Sequence, residues 1–151
     1  MFALDAIDRK LLRELLTNSK RSYRELAKAI GVSAATVINH ARRLESGGVI
    51  KDYSVSLDNE RLGYELTVVT EIIVSKGKLL ETDEEIAKIP NVCAVYDITG
   101  ETDAMVVAKF KSRSNLSDFT KKLLSMPYVE RTNTHVVLTT VKEDFRMMND
   151  M

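Results

Sequence analysis

The sequence predicts an α+β protein in which an N-terminal helix-turn-helix precedes a ferredoxin-like βαββαβ sandwich. Apolar residues recur every three or four positions across the first 50 residues, with capping residues and a glycine between the helical segments. A β-α-β pattern then occurs twice. Charge is also divided unequally, because residues 1–51 hold ten Lys/Arg and five Asp/Glu, whereas residues 52–151 hold 12 and 17. The balances of +5 and −5 indicate two parts with different partners.

The first two helices follow from apolar spacing and capping. Apolar residues from Leu4 to Leu16 fall on one face of an amphipathic helix, and Asn18-Ser19 ends it. Ser22 and Glu25 then match a capping box, in which each side chain binds the backbone amide of the other residue. This pattern predicts a second helix that begins after Ser22.

A third helix follows a short glycine turn. Gly31 suits the left-handed conformation that ends a helix, and Ser33 is a good N-cap two residues later. The third helix is expected to bury Val37, Ala41 and Leu44 and to stop at Gly47-Gly48. Two capped helices joined by such a turn are the outline of a helix-turn-helix.

The face of the third helix opposite its core residues suits double-stranded DNA. Asn39 can pair with adenine, Arg42 and Arg43 can reach phosphates or guanine, and the small Ala35 and the Thr36 methyl can contact thymine. His40 lies nearer the core edge, as a packing residue or a phosphate contact. The predicted DNA-binding residues are Ser33, Ala35, Thr36, Asn39, His40, Arg42 and Arg43. The alternative is an ordinary solvated helix face.

The next segment is expected to connect two domains. Val49 to Leu57 alternates loosely between apolar and polar residues and predicts a strand, and a polar turn follows at residues 58–63. The predicted organisation is a helix-turn-helix domain at residues 1–50, a strand-containing linker at 51–63 and a second domain at 64–151.

The second domain contains a weak internal repeat. Ile89-Pro90-Asn91-Val92 and Met126-Pro127-Tyr128-Val129 share one pattern, and each follows an amphipathic helix, over residues 79–89 and 115–125. A strand precedes each helix, at 66–74 and 104–110, and another follows it. Two such units form a four-stranded antiparallel sheet with both helices on one face. The predicted strands are apolar on both faces, so we expect a second chain to cover the free face about a two-fold axis.

The loop from Tyr96 to Asp103 is the candidate small-molecule site. Gly100 allows close backbone approach, nearby amides can hold a carboxylate, and Asp97, Glu101 or Asp103 can pair with an ammonium group. The last strand adds the hydroxyls of Thr132, Thr134, Thr139 and Thr140. The alternatives are a hairpin turn with solvated acids, or a divalent-cation site on the three acids, although no metal site is predicted.

Composition excludes several other classes. The single Cys93 excludes an internal disulfide framework, and on a strand beside Val92 it is expected to be a buried, inert thiol. The acidic start lacks the basic region of a secretory signal, and no run approaches the roughly 18–20 apolar residues of a membrane span. A cytoplasmic protein is expected. With two His, no phosphate-binding glycine loop and no metal-ligand cluster, no enzyme is predicted.

The ordered set of short motifs resembles the leucine-responsive/asparagine regulator (Lrp/AsnC) family of prokaryotic transcription regulators. The matching stretches are Leu4-Asp5-x-x-Asp8-x-x-Leu11-Leu12, Tyr23-x-Glu25-Leu26-Ala27, Gly31-Val32-Ser33-x-x-Thr36-Val37, Arg43-Leu44-Glu45-x-x-Gly48-Val49-Ile50, Leu62-Gly63, Pro90-x-Val92, Thr99-Gly100-x-x-Asp103, Val129-x-x-Thr132-x-Thr134 and Thr140-Val141-Lys142. The match covers nearly the whole chain.

The resemblance implies dimers that pair through the sheet, often assemble further into octamers, and bind an amino acid as effector without another cofactor. The effector residues it implies, together with the loop, are Tyr96, Thr99, Gly100, Glu101, Thr102, Asp103, Thr132, Thr134 and Thr140. The chain departs from the family pattern at Asn39 and His40, where relatives usually carry arginines. Its extra acid, Glu101, favours a basic or amino-rich effector.

The function predicted from these features is a sequence-specific DNA-binding regulator modulated by a small molecule, an amino acid by resemblance. The alternative is a non-specific architectural protein that wraps DNA and has no effector. Both alternatives need basic helices, but only the first needs base contacts.

Overall fold

A computed structural model describes residues 2–146, which form two compact units. One unit comprises residues 2–56 with 142–146, and the other comprises residues 57–141. The division falls within the linker predicted at residues 51–63. Residues 142–146 group with the N-terminal unit, although they were predicted to belong to the second domain. Residues 147–151 of that predicted domain lie outside the described residues.

Three helices build the N-terminal unit. They are α1 (Ala6–Thr17), α2 (Tyr23–Ile30) and α3 (Ala34–Ser46). Leu11, Leu26 and Leu44 have no exposed surface, and each comes from a different helix. The three-residue spacing between α2 and α3 keeps these helices crossed over a shared core, as the sequence predicted.

The strand predicted from Val49 to Leu57 is not formed in this chain. Residues 51–58 have no regular hydrogen-bonded structure, and the side chains of Tyr53, Val55 and Leu57 are 50%, 69% and 59% exposed. Alternation alone cannot make a strand, because a strand needs a neighbouring strand to bind its amides and carbonyls.

The second unit has the predicted ferredoxin-like arrangement. Its elements are β1 (Leu66–Val74), α4 (Leu79–Ala87), β2 (Val92–Asp97), β3 (Ala104–Phe110), α5 (Arg113–Leu124) and β4 (Val129–Val136). The strand order is β2-β3-β1-β4, and every pairing is antiparallel. The α+β prediction is therefore confirmed.

Both helices pack against one face of the sheet. Ile86 of α4 and Phe119 of α5 share a core with Val68, Ile72 and other strand residues. α4 ends two residues before its predicted end, with residues 88–91 forming turns around Pro90. α5 begins earlier than predicted because Ser112 caps it, its hydroxyl accepting from the Asn115 amide at 3.1 Å.

The prediction of a buried Cys93 is wrong for this chain, in which Cys93 is exposed. β2 is an edge strand, and its register with β3 shifts between Val92 and Ala94. Cys93 stands at this irregularity, so the sheet core does not enclose its side chain. Among residues 2–146, none of the five helices combines the length and the apolar composition needed to cross a bilayer.

We expect Phe110→Ala to lower the free energy of unfolding of the sheet unit by about 3–5 kcal/mol, because Phe110 is 1% exposed and its ring centroid lies 5.1 Å from that of Phe119. Urea unfolding followed by circular dichroism measures the change. Leu124→Ala on the exposed side of α5, where Leu124 is 53% exposed, is the control and should cost under about 0.5 kcal/mol. Similar losses for both variants would contradict this placement of the core.

Candidate nucleic-acid interface and effector site

The capping residues fix where α2 and α3 begin. The Ser22 hydroxyl accepts from the Glu25 amide at 3.3 Å, and the Glu25 carboxylate accepts from the Ser22 amide at 2.7 Å. The Ser22 amide lowers the pKa of the Glu25 carboxyl, and the Ser22 hydroxyl, which donates to Glu25 Oε2 at 2.8 Å, lowers it further. Gly31 has φ +82°, in the left-handed region that favours glycine. The geometry of the turn therefore follows from local sequence.

The exposed side of α3 carries three of the predicted DNA-binding residues. Ala35, Asn39 and Arg42 are exposed, and they are spaced by four and three positions along one face. Val37, Ala41 and Leu44 have no exposed surface on the opposite side. This helix therefore presents a methyl group, an amide and a guanidinium to solvent in a single row.

The first turn of α3 is held by Ser33 and Thr36. Ser33 is the N-cap, and its hydroxyl oxygen accepts from the Thr36 amide at 3.1 Å. The two hydroxyls are 2.8 Å apart. Thr36 is half-buried, and its hydroxyl belongs to the cap.

His40 and Arg43 bind the first helix. The Asp8 carboxylate has no exposed surface, and its Oδ1 lies 2.8 Å from Nδ1 of His40. The Arg43 guanidinium donates to Asp8 Oδ2 and, at 3.2 Å, to Asp5 Oδ2. We call Asp5, Asp8, His40 and Arg43 the α1–α3 clamp. The clamp sets the orientation of α3 against α1.

The clamp is built on the N-terminal cap of α1. Asp5 accepts from the amides of Ile7 and Asp8, while the Asp8 carboxylate accepts from the Asp5 amide. The Asp8 amide is the main cause of the lowered pKa of Asp5, with His40 and Arg43 adding to it. Arg43 also lies 5.3 Å from the ring centroid of Phe2, a distance suited to a cation–π contact.

The role of Asp8 was not predicted from the sequence, and Arg43 was predicted to lie on the DNA-facing side of α3. Arg43 remains 44% exposed, but two carboxylates occupy its guanidinium. Of the two roles predicted for His40, packing matches its position. The sequence feature that could have revealed this pairing is the charged Asp8 at a core-facing position of α1, because a buried charge requires a partner.

Asp5, Asp8 and His40 also form, within residues 2–146, the one group of at least three His, Cys, Asp or Glu side chains whose ligand atoms all lie within 4.8 Å. The guanidinium of Arg43 already binds both carboxylates, so the charge that a cation would supply is present. In that same part of the chain, Asp97, Glu101 and Asp103 do not meet this criterion.

The candidate effector loop crosses from β2 to β3 and is tied to β1. Asp103 Oδ2 accepts from the Val74 amide at 2.8 Å, and the Asp103 amide donates to the Ile72 carbonyl at 3.0 Å. Tyr96, Thr99, Gly100 and Glu101 are exposed, whereas Thr102 and Asp103 are half-buried. Asp103 therefore positions the loop, and Asp97 and Glu101 are its exposed acids.

The predicted threonines lie away from the exposed part of this loop. Thr132 and Thr134 pair with Ile72 and Thr70, so they share the helix-covered face of the sheet. The Thr134 and Thr70 hydroxyls are 3.0 Å apart. Thr140 is exposed beyond the end of β4.

The opposite face of the sheet contains an open depression next to the loop. Its volume is about 180 Å³, and the lining residues are Glu71, Ile73, Glu101, Thr102, Arg131 and Asn133. Four of these six were not predicted. The alternation of side chains along β4 could have predicted two of them, because Arg131 and Asn133 must face away from Thr132 and Thr134.

The helix-covered side of the loop is acidic. Burial raises the pKa of the Asp83 carboxyl on α4, and the charges of Asp97 and Asp103 raise it further. Asp83 Oδ1 is buried and has no hydrogen-bond partner among residues 2–146. A further negative charge is therefore disfavoured on this side of the loop.

Two domain families match the chain. Residues 4–51 match winged helix-turn-helix DNA-binding domains, and residues 67–147 match the Lrp/AsnC ligand binding domain. An uncharacterised HTH-type transcriptional regulator of Pyrococcus horikoshii is 48% identical over 144 residues, covering 95% of this chain and 97% of the relative.

Solved structures agree with these matches. LrpC of Bacillus subtilis superimposes with a TM-score of 0.83 at 31% identity, covering 95% of this chain and all of the other. A transcriptional regulator of Neisseria meningitidis, solved as a complex with L-Met, has a TM-score of 0.87 at 26% identity, with 96% of each chain covered.

The fold and its exposed α3 define a transcriptional regulator with a helix-turn-helix DNA-binding domain and a ligand-binding domain. The chain belongs to the Lrp/AsnC family. This family consists of regulators rather than enzymes, in agreement with the sequence analysis.

We expect Arg43→Met to lower the free energy of unfolding of the N-terminal unit by about 1–3 kcal/mol, because it leaves the buried Asp8 carboxylate with His40 as its remaining side-chain partner. Arg42→Met removes the same charge one residue earlier and should change stability by less than about 0.5 kcal/mol. Urea unfolding of both variants provides the comparison. Equal stability of the two would show that the clamp does not hold α3.

Proposed function

We propose that this chain is a sequence-specific regulator that reads DNA with the exposed row on α3 and responds to an amino acid. The observation that supports DNA reading most directly is the exposure of Ala35, Asn39 and Arg42 on a helix whose other flank is bound by the clamp. A helix held in this way can present its side chains to the major groove with little loss of backbone freedom on binding.

Each exposed residue has a chemical role on DNA. Asn39 pairs with the adenine edge, and Arg42 binds a phosphate or guanine. Ala35 and the Thr36 methyl contact thymine methyl groups. The free amides at the start of α3, beside Ser33, attract a phosphate. His40 and Arg43 act through the clamp and orient the helix.

Site selection from random DNA, followed by fluorescence anisotropy, tests this reading. Asn39→Ala should cost about 1–3 kcal/mol on the selected site and relax specificity at one base pair. Arg42→Met should weaken binding, and if it contacts phosphate it should also reduce the salt slope by about 1. Arg113→Met, on α5 of the other unit, is the matched control and should bind as the wild type does.

The affinity for the selected site, compared with the affinity for random DNA, distinguishes the two functions predicted from the sequence. A regulator binds its site roughly 10³-fold or more tightly than random DNA. Near-equal affinities, together with no effect of Asn39→Ala, would overturn sequence-specific reading and favour the architectural alternative. A site made of two half-sites about one turn apart would match a dimer.

We also propose that the chain forms a homodimer through the sheet face opposite α4 and α5. Val69, Ile73, Met105 and Val107 lie on that face and are half-buried in the single chain. Two copies related by a two-fold axis would bury them against each other. Assembly of dimers into octamers, as the family resemblance implies, is part of the same proposal.

Val107→Asp tests this interface, because it places a charge at the centre of the proposed contact, between Val69 and Ala94. Light scattering should then report the 17.0 kDa chain instead of a multiple of that mass. Lys121→Asp on the exposed side of α5 should leave the assembly unchanged. A folded Val107→Asp protein that keeps the wild-type mass would rule out this face.

An amino acid is the proposed effector, with no further cofactor. Support comes from the Lrp/AsnC ligand binding domain, from the N. meningitidis neighbour solved with L-Met, and from a loop of exposed polar residues tied to the sheet by Asp103. As a regulator of transcription, the protein is proposed to act in the cytoplasm of a prokaryotic cell.

A further inference from the structure

The segment that follows α3 is bound to that helix through a side chain. Residues 51–56 are exposed and have no regular hydrogen-bonded structure, and they precede Leu57, where the sheet unit begins. Within this segment, the hydroxyl of Tyr53 donates to Oε1 of Glu45, on the last turn of α3, at 2.7 Å. A contact between two side chains therefore holds a segment whose backbone forms neither helix nor strand.

The surroundings of Tyr53 keep its phenol protonated. Partial burial, the hydrogen bond to Glu45 and the negative charge of Glu45 raise the pKa of the Tyr53 phenol, and Tyr23 on α2 raises it further. The hydroxyl is therefore a donor throughout the physiological pH range, and the exposed carboxylate of Glu45 is its acceptor. A hydrogen bond to a charged acceptor is roughly twice as strong as one between neutral groups, so this contact can hold an exposed segment.

The Tyr53–Glu45 contact lies on the flank of α3 opposite the α1–α3 clamp. At about 100° per residue, Arg43 of the clamp lies about 100° to one side of Arg42, whereas Glu45 lies about 60° to the other side. The exposed row that contains Arg42 therefore lies between two supports, which are α1 on one flank and residues 51–56 on the other.

The contact also shortens the free connection between the two units. Ile50 packs against the core of the N-terminal unit, so without the contact six residues, 51–56, would connect that core to the sheet unit. With Tyr53 bound to α3, three residues, 54–56, remain free. An extended chain spans at most about 3.3–3.6 Å per residue, so the maximum reach of the connection falls from about 20 Å to about 10 Å.

We propose that the Tyr53–Glu45 contact determines which spacing of DNA half-sites a dimer of this protein accepts. The shorter connection limits how far apart two helix-turn-helix domains can move, so the dimer binds both half-sites at one spacing and not at longer ones. Tyr53 and Glu45 are positioning residues, and this role requires no contact with a base. The inference rests on the dimeric DNA reading proposed above and adds the residues that select the spacing.

Fluorescence anisotropy with a set of duplexes tests this role. The duplexes carry the selected half-sites at the selected spacing and at spacings longer by one, two and three base pairs. The full-length wild type should lose about tenfold or more in affinity at the longer spacings, because a connection that cannot span the sites gives the second half-site a very low effective concentration. Tyr53→Phe should lose less than about threefold, and it should bind an isolated half-site as the wild type does.

Three further variants isolate the hydrogen bond. Glu45→Gln keeps an acceptor for the Tyr53 hydroxyl and should keep the wild-type spacing preference, whereas Glu45→Ala should broaden it. Each preference is a ratio of affinities for one variant, so a uniform effect of removing a negative charge from α3 cancels. Tyr64→Phe is the matched control, because it removes a hydroxyl from the sheet unit and keeps the ring that lies 4.9 Å from Lys111 Nζ. It should show the wild-type preference.

Lengthening the connection provides an independent comparison. Insertion of Gly-Ser-Gly between Ser54 and Val55 restores six free residues while Tyr53 stays bound to α3. This variant should broaden the spacing preference as Tyr53→Phe does. Circular dichroism verifies that each variant is folded.

Two outcomes would overturn the inference. Equal spacing preferences of the wild type and Tyr53→Phe, on sites that both proteins bind, would show that the contact does not select the spacing and would leave the proposed DNA reading intact. A wild type that selects no pair of half-sites would overturn the proposed dimeric reading and this inference with it.

Discussion

The buried carboxylate of Asp8 is the constraint on which the nucleic-acid interface depends. A charge without exposed surface is stable when it is paired, and Asp8 is paired on one oxygen with His40 and on the other with Arg43. Both partners belong to α3, on the flank that does not carry Asn39 and Arg42. The same carboxylate also caps α1 through the Asp5 amide. One side chain therefore takes part both in the capping box that begins the first helix and in the ion pairs that orient the third.

The sheet unit relies on an equally simple geometric rule, the alternation of side chains along a strand. In β4 it sends Thr132 and Thr134 to the helix-covered face and Arg131 and Asn133 to the open face. The polar residues of one strand are thereby divided between a structural role and an exposed depression. The loop is divided in the same way. Asp103 has a structural role because it binds the Val74 amide, whereas Glu101, two residues earlier, is exposed. Fold and candidate effector site are thus built from adjacent residues with different partners.

In both domains, the residues that face solvent differ from the residues that hold them in place. Ala35, Asn39 and Arg42 are supported by the α1–α3 clamp, and Glu71 is supported by Asn133 on the neighbouring strand. Support of this kind matters because a helix or a side chain that is already held loses less conformational freedom when it binds a ligand.

The local features of this protein were determined by the sequence alone. The capping pairs, the turn at Gly31, the apolar face of each helix and the doubled β-α-β pattern depend on interactions between residues a few positions apart, and these repeat with fixed periods. Only the tertiary structure decided that Arg43 faces Asp8 across 35 positions, that the segment after α3 forms no strand, that Cys93 is exposed at a sheet edge, and that Arg131 rather than Thr132 lines the depression. Each of these outcomes depends on which distant segment of the chain packs against the residue concerned. The spacing of residues along the sequence does not specify that segment.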